Sequence, residues 1–153
     1  LDSAAIAAFP RLPTLKVLFI AANLASPQDL PTLATRCPNL ETLIIKHPGT
    51  ATQPPQITPT ELTPLLARCK KLERITLNRI PFTAKTAAAI STCDALEDLT
   101  LEGCGPLTAP AFTPLASLKK LKKLRIRFDT DLTPDDLQTI QQTLKACQVD
   151  HGK

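Results

Sequence analysis

Leu96-Glu97-Asp98-Leu99-Thr100-Leu101 and Leu121-Lys122-Lys123-Leu124-Arg125-Ile126 are two copies of one phrase, Leu-x-x-[Leu/Ile]-x-[Leu/Ile]. Three copies precede them: Leu15-Lys16-Val17-Leu18-Phe19-Ile20, Leu40-Glu41-Thr42-Leu43-Ile44-Ile45 and Leu72-Glu73-Arg74-Ile75-Thr76-Leu77. Their first leucines lie 25, 32, 24 and 25 residues apart. Self-similarity at that period marks stacked structural units. Within each phrase apolar residues alternate with variable ones, as in a short strand with one buried face.

Working outward, each phrase is followed by a helix start. The expected N-caps are Ser26, Thr58, Thr83, Thr108 and Thr133, spaced 32, 25, 25 and 25 residues apart, an independent reading of the same period. A Ser or Thr hydroxyl at N-cap accepts an amide hydrogen bond, and Pro27, Pro59 and Pro134 at N1 give up only an orphan N–H. Asp29, Glu61 and Asp136 stand where an acid completes a capping box. Four residues after each cap comes a core-facing residue: Leu30, Leu62, Ala87, Phe112 and Leu137. Strands that run the same way and are joined through helices form a parallel sheet. The expected fold is therefore α/β: a right-handed solenoid with the sheet on its concave face, helices on its convex face and about five strand-bearing repeats.

The unit resembles that of the leucine-rich-repeat superfamily, Leu-x-x-Leu-x-Leu-x-x-[Asn/Cys]. Asn23 and Cys104 fit the last position, whereas Pro48, Ile80 and Asp129 occupy it in the other copies, so the asparagine ladder typical of the family is mostly missing. Helices of this length ending near a cysteine are most similar to the ribonuclease-inhibitor-like and cysteine-containing subfamilies. The resemblance implies a binding scaffold; for cysteine-containing repeats it further suggests substrate receptors of ubiquitin ligases, although no F-box-like segment is present. It spans nearly all of residues 1–153, read as a single domain. Residues 1–12 match a partial N-terminal repeat helix, 132–147 a C-terminal helix and 148–153 a tail. The chain has no Met, even at position 1, which points to a fragment of a larger protein.

Composition narrows the function. Aromatics are only 3% against 43% hydrophobic residues, so the core is built from Leu, Ile, Val and Ala. Residues 1–76 carry 8 basic and 5 acidic residues and residues 77–153 carry 10 and 9, too mild a balance to imply nucleic acid by bulk charge. No apolar run is long enough to span a membrane. The five cysteines are an odd number. Cys37, Cys69 and Cys93 each precede a phrase by three residues, as small buried side chains would; reduced thiols point to an intracellular protein, cytoplasmic or nuclear.

Partner recognition is expected on the concave strand positions: Val17, Phe19, Thr42, Ile44, Arg74, Thr76, Asp98, Thr100, Lys123 and Arg125. This row runs from apolar to strongly basic. Lys119, Lys120, Lys122, Lys123, Arg125 and Arg127 form a basic patch that is either the plain solvated side of a strand whose Leu121, Leu124 and Ile126 are core, or a grip for an acidic protein segment, with nucleic acid or an anionic surface as the further alternative. A third reading is a purely structural module linking flanking domains. Glu41, Glu73 and Glu97 recur at one position, and their mutual repulsion calls for offsetting cations such as Lys16 and Lys122. The second repeat is longer by an insertion within residues 46–57, which is either a binding loop or a neutral one. His47 and His151 lie in no catalytic arrangement, no cysteine or histidine spacing fits a metal, and no cofactor motif occurs. The expectation is a protein-interaction module rather than an enzyme.

Overall fold

In the computed structural model, which describes residues 8, 10–21, 29–47, 57–129 and 132–152, strands and helices alternate along the chain. The order is β1 (Val17–Ala21), α1 (Leu30–Arg36), β2 (Thr42–Lys46), α2 (Pro59–Arg68), β3 (Arg74–Asn78), α3 (Ala84–Ile90) and β4 (Asp98–Glu102). A 3-10 helix (Ala109–Ser117), β5 (Lys123–Arg127), α4 (Pro134–Thr143) and β6 (Gln148–Gly152) complete it. All six strands are parallel and lie in sequence order, so each layer stacks on the one before it.

The register is what gives the phrase its physical meaning. Leu18, Leu43, Ile75, Leu99, Leu124 and Val149 are mutual partners across the sheet. Ile20, Ile45, Leu77, Leu101, Ile126 and His151 form the second such row. The aliphatic members of the first five strands are buried with the helix residues Leu30, Leu62, Leu65, Ala87, Phe112 and Ile140 in one core. At about 25 cal/mol per Å² of apolar surface, each such Leu or Ile contributes roughly 1.5–3 kcal/mol. Of the expected core positions four residues after each cap, Leu30, Leu62, Ala87 and Phe112 are buried, while Leu137 on the last helix is only partly covered. Among the described residues Phe82 and Phe112 supply the largest fully buried side chains, with ring centroids 4.8 Å apart.

The caps work where the chemistry allows. Thr58 accepts from Thr60 N at 3.3 Å, and the Glu61 carboxylate accepts from Thr58 N at 2.9 Å. Thr133 and Asp136 form the same reciprocal box at 3.1 and 3.0 Å, and Thr83 forms it with Thr86 in place of an acid. Thr108 makes no side-chain cap bond. Its N2 neighbour is Pro110, which has no N–H, and Ala111 N goes instead to the Thr108 carbonyl at 3.0 Å, the bond of a 3-10 turn. Ser26 and Asn23 lie outside the described residues, as do most of the expected N-terminal helix and residues 48–56 of the insertion.

One expectation is corrected. The stretch expected to be a tail is β6, a sixth strand paired residue for residue with β5, so one strand is added to the five that carry the phrase. Its sequence, Gln-Val-Asp-His-Gly, lacks the phrase, yet Gln148 N bonds to Lys122 O at 2.8 Å. An edge strand's unpaired amides and carbonyls are a strong template for such pairing.

Candidate partner-binding face

Because inward residues alternate with outward ones, every strand sends three side chains to the face opposite the helices. In register the rows read Val17, Thr42, Arg74, Asp98, Lys123 and Gln148; Phe19, Ile44, Thr76, Thr100, Arg125 and Asp150; and Ala21, Lys46, Asn78, Glu102, Arg127 and Gly152. All ten residues expected on the strands therefore share this one face. The third row was missed, though the same period-two alternation, continued by two residues, identifies Lys46, Asn78 and Glu102. The contribution of β6 had no comparable signal.

The face divides into two unlike halves. Over β1 and β2 it is apolar: Val17 and Phe19 are 53% and 54% exposed, and half-buried Ile44 sits directly beside Phe19. Over β4 to β6 it is a lattice of ion pairs. Arg125 Nη1 lies 2.5 and 2.6 Å from the two Asp98 oxygens, and Arg127 Nη2 lies 2.7 Å from Asp150 Oδ2. Asn78 Nδ2 donates to Glu102 Oε2 at 2.8 Å. The Arg127 guanidinium holds the Asp150 carboxyl below the usual carboxylate range.

The basic stretch is thus less basic than its sequence. Of its six cations, Lys122, Arg125 and Arg127 are ion-paired; Lys119, Lys120 and Lys123 have no such pair among the described residues. The glutamate column is offset as its repulsion demanded. Lys16 pairs with Glu41, and Lys122 Nζ lies 2.8 Å from Glu97 Oε2, each lysine lowering its partner's pKa by hydrogen bonding. Glu73, between them, has no ion pair among the described residues.

Other titratable groups do not converge. His47 is buried at the end of β2, while His151 sits on β6 with Nε2 3.0 Å from Asp129 O. Three strands intervene, so the imidazoles stand on the order of 19 Å apart at ordinary strand spacing. The five thiols are free and buried. No group of His, Cys, Asp or Glu among the described residues is arranged to hold a metal, and no described helix is long and apolar enough to cross a membrane.

No family model matches the chain, and no curated protein matches it by sequence. Solved structures do. A tropomodulin C-terminal domain from Caenorhabditis elegans superposes with a TM-score of 0.57 over 94% of this chain and 89% of that one, at 10% identity. Rad7, solved in its complex with Elc1 from yeast, matches with a TM-score of 0.65 over 99% of this chain but only 45% of that one, at 13% identity. Identities so low speak for fold alone. Together with the repeated phrase, the capped helices and the unbroken parallel ladder, they establish this chain as a solenoid of the leucine-rich-repeat fold.

Proposed function

We propose that this domain is an intracellular protein-interaction module that seats a partner on the open face of its sheet, and that it acts by binding rather than by catalysis. The observation that carries this reading is the exposed pair Val17 and Phe19 beside Ile44. On the opposite sheet face the aliphatic residues of β1 to β5 are buried in the core, whereas a bulky Phe left in water on the open face is characteristic of an interface. A rigid parallel ladder offers that surface without further ordering, which lowers the entropic cost of association. The presence of Elc1 with Rad7, a chain of similar fold, adds support for a protein partner. A nucleic-acid role is less favoured because half of the basic stretch is already ion-paired.

The test is affinity capture by the purified domain, with Phe19→Ser/Ile44→Ser and Lys119→Glu/Lys120→Glu/Lys123→Glu variants in parallel, followed by titration of whatever purified partner results. The proposal expects a protein whose affinity falls about a hundredfold, or ~2.7 kcal/mol, in the apolar double variant. Partners retained equally by that variant, or a nucleic acid lost only in the lysine variant, would point elsewhere.

A further inference from the structure

Two cations bracket the apolar half of the face. Arg74 stands on β3 in the row of Val17, and Lys46 on β2 in the row of Ala21; both are exposed. Neither has an ion pair among the described residues; Arg74 makes only a hydrogen bond from Nε to Thr42 Oγ1 at 3.1 Å. The carboxylates around Arg74 are mostly engaged. Glu41 holds Lys16, Glu97 holds Lys122 and Asp98 holds Arg125, which leaves Glu73 on the exposed rim. Over β4 to β6 most charges are ion-paired, whereas Arg74 and Lys46, beside the apolar half, have no ion pair among the described residues, although Glu41 and Glu97 lie near enough to feel the charge of Arg74.

We propose that the occupant of this half is an acidic peptide segment with a bulky apolar side chain set between carboxylates. The inference rests on the reading of the open face as a protein-binding surface and narrows it to one partner chemistry. The apolar side chain docks on Phe19, Ile44 and Val17, and carboxylates reach Arg74 on one side and Lys46 on the other. Four residues along the strand and one strand across place the two cations roughly 14 Å apart, about four residues of an extended chain. Acids spaced by about four residues around an apolar anchor therefore match the geometry. Basic segments are disfavoured, because they would set like charge against Lys46 and Arg74 as those groups lose water.

A random peptide library displayed on phage and panned on the folded domain tests this directly. Enrichment of peptides with a bulky apolar residue flanked by Asp or Glu is expected. Their affinity should fall about tenfold or more in Phe19→Ser, and Lys46→Glu/Arg74→Glu should shift the enriched flanks to Lys and Arg. Each variant replaces exposed side chains, and unchanged thermal unfolding establishes that it is folded. Enriched peptides with basic or neutral flanks, enrichment indifferent to Lys46→Glu/Arg74→Glu, or no enrichment at all overturns the inference. So does a short oligothymidine strand that binds more tightly than any peptide and loses affinity in Phe19→Ser. Capture of a folded partner through Phe19 with no acidic preference would sink this inference and leave the broader protein-binding reading standing; binding that ignores Phe19 in both experiments would sink both.

Discussion

Asp129→Asn should make this protein more stable. Asp129 is 5% exposed, in the position where leucine-rich repeats ordinarily carry asparagine. Its Oδ1 accepts from Gly105 N at 2.6 Å, but Oδ2 has no hydrogen-bond partner among the described residues. The neighbouring layer shows what the slot accommodates: Cys104 turns its thiol to the Leu77 carbonyl at 3.2 Å, a donor where Asp129 offers only an acceptor. An unsatisfied buried polar atom costs about 1–3 kcal/mol, and exchanging a charge-assisted bond to Gly105 for a neutral one gives back roughly 1 kcal/mol. The isosteric amide keeps the first bond and replaces the orphan acceptor with a donor; with that donor on a carbonyl of the preceding layer, as the Cys104 thiol is, the net gain is about 1 kcal/mol. In a domain of this size that raises Tm by about 2–4 °C. Asp129→Ala, which strips Gly105 N–H of its acceptor, should instead cost about 1–3 kcal/mol. Urea titrations of the three proteins at neutral pH decide the matter. A midpoint lower for Asp129→Asn than for the parent would show that the carboxylate charge is itself stabilising and that the orphan oxygen is not a liability.

Three other outcomes follow from the caps and the core. Thr58→Ala and Thr133→Ala should each lose about 1 kcal/mol in urea denaturation, whereas Thr108→Ala, which removes no cap bond, should stay within about 0.5 kcal/mol of the parent. Phe112→Ala, which empties a fully buried site against Phe82, should cost about 3–5 kcal/mol by the same assay. Stability should decline on acidification. Hydrogen bonds from Thr58 and Thr133 hold the carboxyls of Glu61 and Asp136 below their ordinary range, as lysine and arginine partners do for Glu41, Glu97 and Asp150. A depressed folded pKa contributes stability present above the unfolded values of ~4.3 for Glu and ~3.9 for Asp, and lost as pH falls through the folded pKa. Urea midpoints followed from pH 7 to about 3 should therefore drop, and Glu61→Gln/Asp136→Asn should flatten the drop; an unchanged slope would refute that assignment.

Much of this architecture was legible because a repeat states its rule several times. One copy of Leu-x-x-Leu-x-Leu is ambiguous, but five copies in phase with five Ser/Thr caps leave little freedom, and the structured strands begin at the third residue of each phrase. The half of the face over β1 and β2 was legible for the same reason, since Val17, Phe19 and Ile44 had no inward role to play. The other half was misweighted, because charge was summed along one strand. Arg125 meets Asp98, which stands 27 residues earlier and diagonally across the register, where Asp98 itself is level with Lys123. Linear runs of cations cannot display partners supplied by the neighbouring layer. β6 was illegible for a different reason: only Val149 and His151 stand in the inward rows, and its backbone pairing with the open edge of β5, reinforced by Asp150 on Arg127, has no counterpart in the repeated phrase.

The buried thiols have a use as a record of how the stack comes apart. Cys37 and Cys69 cap the ends of α1 and α2, Cys93 follows α3, Cys104 follows β4 and Cys147 precedes β6, so they are spread along nearly the whole array. Burial pushes Cys69, Cys104 and Cys147 up to about 11 and Cys93 to about 12, so in the folded state each is protonated and shielded from alkylating reagents. A solenoid holds together through nearest-neighbour interfaces and opens locally before it opens globally. Timed alkylation read by peptide mass spectrometry would then give each cysteine its own opening rate. Without any engineered probe, the sequence carries five markers by which one end of the molecule can be seen to unravel before the other.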